Sequence, residues 1–232
     1  MNLQAIIDID HQLLGVFNGS DSLFLDGLMI TLTSSPLWIP LYLALLYLII
    51  KNNETMVQIL IIIGFSALCF LLSSGMADGL MKSIVERIRP CNDPILKYQV
   101  DIVNNYRPNS FSFFSGHASN TLSIAIFIFC LVRSKLLGSV MFIWSFINSY
   151  TRLYLGVHYV SDVLAGWMWG AAVGFFTYFL CNRVLKRLTL PMNYISNQYT
   201  RTGYSTNDID MVVSIFILTI IFAVIKALII SY

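Results

Sequence analysis

TMVQILIIIGFSALCFLLSS, residues 55–74, is twenty residues long and carries no charged side chain. A helix of that length rises about 30 Å, the thickness of the hydrocarbon core of a bilayer. The rest of the chain has the same character. Of 232 residues, 57% are hydrophobic and only 11% are charged, whereas a soluble domain carries about a quarter charged residues. The protein cannot bury so much apolar surface within itself, so lipid must be part of its solvent.

Working outward from this stretch, five further apolar runs read as spans. PLWIPLYLALLYLII (36–50) is short alone, so its helix starts near Gly27 or is helped by tilt. The others cover about Ala118–Val132, Leu136–Tyr150, Val163–Cys181 and 211–230. Residues 1–26 mix apolar and acidic side chains and read as a short helix lying along the membrane surface. The fold expected is all-α: an integral membrane six-helix bundle with a short N-terminal interfacial helix. Residues 1–232 form one domain, with a polar linker at 188–210 before the last span.

Several classes are excluded. A net charge of +2 gives no basis for a nucleic-acid partner. Cys69, Cys91, Cys130 and Cys181 have neither metal-ligand spacing nor the context of a disulfide framework. The N-terminus MNLQAIIDIDHQLL lacks the basic start of a cleaved signal peptide.

Six spans force an alternation of sides. The loops holding Lys51, Arg133, Lys135, Arg183, Lys186, Arg187 and Arg201 share one face. Lys82, Arg89, His117, Arg152, His158 and Asp162 share the other. Leaving out Lys226 within the last span, the basic counts are seven and six. If Lys82, Arg89 and Arg152 serve chemistry, they become seven and three, which puts the ionisable cluster outside and the other loops in the cytoplasm.

Three stretches meet at that outer face: KSIVERIRP (82–90), FSGH (114–117) and TRLYLGVHYVSD (151–162). Their side chains suit attack on a tetrahedral phosphate. His158 and Asp162, four apart, share a face if the fifth helix starts near His158. The carboxylate then holds one ring nitrogen as N–H and leaves the other free to attack. Lys82, Arg89 and Arg152 supply positive charge for the transferred group. Lys82 and Arg89, seven apart, would share a face of a helix. Ser115 and Gly116 offer a hydroxyl and a close backbone approach at a helix start, a natural anion site. His117 is placed to protonate the leaving oxygen and then to activate water. No clustered carboxylates call for a metal, and no cofactor is expected.

The three stretches resemble the signature motifs of the type 2 phosphatidic acid phosphatase superfamily, K-x6-R-P, P-S-G-H and S-R-x5-H-x3-D. Lys82–Pro90 matches the first in full. Phe114 replaces proline in the second, and Thr151 replaces serine in the third. The resemblance covers about residues 55–185. It implies His158 as nucleophile supported by Asp162, His117 as general acid, and Lys82, Arg89, Ser115, Gly116 and Arg152 as phosphate ligands.

Other residues read as structural. His11 reads as a surface residue, and the two DID triplets (8–10 and 208–210) as chance rather than a metal site. Asp78 pairs with Lys82, one turn on. Arg87 is either a second phosphate contact or the partner of Glu86. The polar loop Cys91–Phe113 lies on the same face as the site and is expected to help select the headgroup. The reading is a metal-independent membrane phosphatase acting on a lipid phosphate or diphosphate: lipid A phosphate, undecaprenyl diphosphate or phosphatidylglycerol phosphate. A phosphotransferase, a sugar-phosphate phosphatase and a non-catalytic lipid-binding or transport protein are the rivals. Oligomeric state is not legible.

Overall fold

Helix starts in this chain are marked by hydroxyl side chains. Ser22, Thr55, Ser115 and Ser134 each accept a backbone N–H of the first turn they precede, replacing one bond that a helix start cannot make internally. Thr55 and Gln58 cap reciprocally. In the computed structural model, which describes residues 3–188 and 197–230, the main helices are α1 (Leu3–Phe17), α2 (Leu23–Thr33), α3 (Ile39–Lys51), α4 (Met56–Ser74), α5 (Lys82–Val85), α6 (Gly116–Val132), α7 (Lys135–Tyr154), α8 (Val160–Leu188) and α9 (Thr206–Ile230). The described residues contain no strand beyond one bridge, Tyr199 to Ser205.

The all-α membrane bundle expected from the sequence is present, with differences in detail. The first span is broken: α2 and α3 meet at 68° across a short 3₁₀ turn, Ser35–Trp38. Pro36 lacks the N–H needed to continue α2, so the chain turns there instead of tilting. The second span does not stop at Ser74. It continues through a π-helical segment, Gly75–Met81, into α5. α4 with this continuation, α8 and α9 are long and apolar enough to cross a bilayer, and the bent pair qualifies as one further span. α6, with 17 residues, and the more polar α7 complete the six units. Of the linker expected at 188–210, residues 189–196 lie outside the described residues, and α9 already begins at Thr206. α4 and α9 leave Leu60, Leu71, Leu218 and Phe222 exposed, as lipid-facing side chains are.

α8 carries Gly166, Gly170 and Gly174, one glycine per turn on one face. That face lies directly on α6. A Cβ at the three positions would stand 2.6, 2.5 and 2.7 Å from the carbonyl oxygens of Ser115, Ser119 and Ser123. Lipid gives no hydrophobic drive between helices, so close backbone packing through small residues and interhelical hydrogen bonds must hold them. Ser73 and Ser119 hydroxyls meet at 2.5 Å between α4 and α6. Thr121 and Ser145 join α6 to α7 at 3.0 Å, and Trp167 donates to Ser149 between α8 and α7 at 2.8 Å. Gly170→Ala is therefore expected to force α6 and α8 apart at a cost of about 1–3 kcal/mol. A lowered thermal midpoint in detergent would show this, and an unchanged midpoint would contradict the close approach.

The two ends of the bundle differ. At one, Lys51 pairs with Asp208 at 2.8 Å, Asn53 donates to Tyr204, and Thr202 donates to the Val132 carbonyl. The second DID triplet thus serves as an anchor for α9. At the other end lie the start of α6, the end of α7, the start of α8, α1 and the loop 91–113.

Candidate active site

α7 ends at Tyr154, and the chain turns back through Gly156, whose φ of +62° suits glycine. A Cβ there would stand 2.2 Å from the side chain of Val100. This turn delivers His158, 2% exposed, just ahead of α8. His158 itself is not helical, because α8 starts at Val160.

His158 and Asp162 still come together, though less directly than the helical spacing implied. Nδ1 of His158 lies 3.6 Å from Oδ2 of Asp162, beyond hydrogen-bond range. Ser112 bridges the gap. Its Oγ is 3.3 Å from Nδ1 and donates to Oδ2 of Asp162. Asp162 Oδ2 also accepts the Tyr159 N–H at 3.0 Å, and Oδ1 accepts from Arg87 Nη1 at 2.7 Å. The other ring nitrogen of His158, Nε2, is 3.1 Å from Arg89 Nη1. A guanidinium can only donate. Nε2 must therefore present its lone pair, and the ring proton sits on Nδ1, facing Ser112.

Arg89 is held by Val157 and Ser110: Nη1 donates to the Val157 carbonyl (2.9 Å), Nε to the Ser110 carbonyl (2.6 Å) and Nη2 to the Ser110 hydroxyl (2.9 Å). Burial and the nearby charge of Arg152 lower Arg89 to about 10, so it stays protonated at neutral pH. Burial pushes His158 down to about 3 against the pull of Asp162, which leaves the imidazole neutral.

Arg152, 3% exposed in the last turn of α7, donates from Nη1 to the Thr33 hydroxyl at 2.7 Å and to the Tyr106 hydroxyl at 3.3 Å. Its Nε is buried without a hydrogen-bond partner among the described residues. His117, in the first turn of α6, lies beside the backbone of Thr33 and within electrostatic reach of Arg152, His158 and Lys82. The break in the first span thus brings Thr33, the last residue of α2, to both His117 and Arg152. Ser115 caps α6 with its hydroxyl, and its N–H donates to the Asp162 carbonyl at 3.0 Å, tying the starts of α6 and α8 together. The amides of Gly116 and His117 have no intrahelical acceptor, as the first turn of any helix dictates.

Several details correct the sequence reading. Lys82 and Arg89 do not share a helical face, since Glu86 adopts φ +48° and ends α5; Arg89 lies in extended chain. Lys82 pairs with Asp78 at 2.5 Å, as expected. Gly116 is beside that carboxylate: a Cβ there would be 3.5 Å from Asp78 Oδ1. Arg87 pairs with Asp10 and Asp162, not with Glu86. His11 is not a bare surface residue but stacks on Tyr159, 5.8 Å between centroids.

Asp10, read from sequence only as part of a chance DID triplet, and Thr33, Tyr106, Ser110 and Ser112, which carry no sequence signal of a site, also belong here. Three of them lie in the loop 91–113, where each holds an ionisable residue of the site: Tyr106 bonds Arg152, Ser110 bonds Arg89, and Ser112 bonds Asp162. No spacing rule marks a loop serine. Asp10 did carry a signal, because it falls on the helix face of the buried Leu14, one turn on.

Residues 55–186 match the model of the PAP2 superfamily, the type 2 phosphatidic acid phosphatases. The chain is 38% identical over 188 residues to a lipid A 4'-phosphatase of Bacteroides thetaiotaomicron, covering 80% of this chain and 83% of that protein. It is 29% identical over 178 residues to a lipid A 4'-phosphatase of Porphyromonas gingivalis, covering 76% and 74%. In fold it is similar to the crystal structure of a transmembrane PAP2-type phosphatidylglycerolphosphate phosphatase from Bacillus subtilis. The TM-score is 0.57 at 23% identity, covering 80% of this chain and 88% of that one. The motifs, the bundle and these matches agree: the chain belongs to the PAP2 superfamily.

Proposed function

We propose that this chain, a membrane lipid phosphate phosphatase by its family, removes a phosphate ester from lipid A through a phosphohistidine on His158. One observation carries the mechanism: His158 presents the Nε2 lone pair to Arg89 while its Nδ1 proton faces Ser112, whose hydroxyl is held by Asp162. That is the tautomer and orientation a nucleophile needs. In the first step Nε2 forms a bond to phosphorus, the bond to the lipid oxygen breaks, and His117 gives that oxygen a proton. In the second, water attacks phosphorus, the N–P bond breaks, and His117 takes the proton of the water. Arg89, Arg152, Lys82 and Ser115, with the Gly116 amide, hold the phosphate oxygens as charge builds on them. The buried, unpartnered Nε of Arg152 supports an anion in this place.

The lipid A assignment rests on the names of the two bacterial relatives. The asymmetry of basic residues supports an inner-membrane protein with the site at the periplasmic face. An amphiphile could bring its headgroup to this end while its chains stay in lipid.

The test is a panel of lipid A, undecaprenyl diphosphate, phosphatidylglycerol phosphate and glucose 6-phosphate, assayed for released phosphate with the detergent-purified protein. Fastest release from lipid A, unaltered by EDTA, is expected. A faster rate on another lipid would overturn the substrate. Activity confined to the sugar phosphate would overturn the lipid reading. Transfer to an added alcohol without free phosphate would overturn hydrolysis.

A further inference from the structure

Arg87 lies between two buried carboxylates from opposite regions of the chain. Nη2 donates to Asp10 Oδ2 of α1 at 2.7 Å, and Nη1 donates to Asp162 Oδ1 of α8 at 2.7 Å. Nη1 also reaches the Ser161 hydroxyl at 2.7 Å. Asp10 in turn accepts the Ser161 N–H at 3.0 Å and its hydroxyl. The guanidinium lies over the Tyr159 ring, 3.9 Å from its centroid. Asp10 is 2% exposed and Asp162 is fully buried. Burial would lower Arg87, but the two carboxylates reverse that and hold it above its ordinary value.

Such an arrangement is poorly explained as a fastener. Buried ion pairs are weak contributors to stability because desolvation offsets their attraction. α1 also packs through apolar side chains, with Leu14 clustered with Leu96 and Tyr159 and Phe17 packed on the cluster of Leu153 and Val163. What the pair does set is geometry. Arginine favours a bidentate fork on a single carboxylate. Here Asp10 takes the second arm, so Arg87 engages only Oδ1 of Asp162. Oδ2 stays with Ser112, the Tyr159 N–H and, 3.6 Å away, His158. Without Asp10, the second arm of Arg87 loses its acceptor and can compete with Ser112 and the Tyr159 N–H for Oδ2, drawing it from the imidazole.

We propose that Asp10, acting through Arg87, is a positioning residue that reserves one oxygen of Asp162 for the Ser112–His158 relay, so that the N-terminal helix completes the active site. This role rests on the phosphohistidine reading of His158.

Asp10→Asn keeps the size of the side chain and an acceptor for Ser161 while removing the charge that holds Arg87. Full-length wild type, Asp10→Asn, Arg87→Met, the double variant and His158→Ala are compared for steady-state turnover of lipid A and for the single-turnover rate of phosphohistidine formation. Asp10→Asn is expected to lower kcat and the rate of phosphohistidine formation together, by about 10- to 100-fold, with KM changed by less than about threefold. The double variant should be no slower than Arg87→Met, because Asp10 acts through Arg87. Arg87→Met strands two buried carboxylates and is the variant at risk of misfolding; Asp10→Asn alone decides the matter in that case. Wild-type kcat in Asp10→Asn overturns the proposal. So does a loss confined to KM, or to the folded fraction with turnover per folded molecule unchanged. A wild-type protein that releases no phosphate from any lipid, like His158→Ala, overturns the functional reading and the role of the pair with it.

Discussion

His158→Ala is expected to lower phosphate release by on the order of 10⁴-fold or more, because it removes the atom proposed to bond to phosphorus. The protein should still fold. Arg89 loses one contact of four but keeps the Val157 carbonyl and both Ser110 acceptors. Asp162 keeps Arg87, Ser112 and the Tyr159 N–H. No buried charge is stranded, which is the condition that makes a buried substitution severe. Phosphate release measured beside a thermal midpoint in detergent separates the two effects. Turnover within tenfold of wild type by a folded variant would exclude His158 as the nucleophile.

Asp162→Asn should cost on the order of 10³-fold in kcat, and the reason is a proton on the wrong nitrogen. The carboxylate accepts on both oxygens: Arg87 and Ser112 donate from opposite sides, with the Tyr159 N–H beside Ser112. An amide cannot accept on both. If its NH₂ group faces Arg87, two donors oppose each other and the guanidinium is left with Asp10 and Ser161. If it faces Ser112, the serine hydroxyl loses its acceptor and turns to donate to His158 Nδ1. The ring proton is then driven to Nε2, where it opposes Arg89 Nη1, and the lone pair proposed as nucleophile is lost. Either arrangement also loosens the start of α8, so a lowered midpoint should accompany the kinetic loss. A variant within tenfold of wild-type kcat would mean that Asp162 does not govern the tautomer.

The parts of the molecule legible in the sequence are those that lipid and phosphate dictate. Hydrocarbon requires long uncharged helices, so the runs at 55–74 and 211–230 announce themselves. The topology those runs impose gathers His117, Arg152, His158 and Asp162 at one end without any knowledge of contacts. What escaped the reading is local backbone geometry. Whether Pro36 tilts, kinks or breaks a span depends on what packs at the bend, yet the break is what brings Thr33 to His117 and Arg152. The widened π-helical turn before Lys82 leaves no periodicity to detect. The fork of Arg87 joins residues 77 and 75 positions away, a separation over which single-sequence reasoning has no purchase. The glycines at 166, 170 and 174 were visible at helical spacing, but only coordinates show that they face the α6 backbone.

The loop 91–113 shows how a correct location can carry an incomplete role. Its position beside the site was read from topology, and headgroup selection was the expected task. In the structure its Tyr106, Ser110 and Ser112 each hold a charged side chain: Arg152, Arg89 and Asp162. Exchange of the whole loop would therefore remove activity before it could alter preference.

Trapping the intermediate tests the mechanism most directly. The purified protein is mixed with excess lipid substrate, quenched in base, where phosphohistidine survives, then digested and read by mass spectrometry. A phosphoryl group on His158 during turnover, absent from Asp162→Asn on the same timescale, is the expected result. A phosphoryl group on any other residue, or steady turnover with none on the protein, would contradict it.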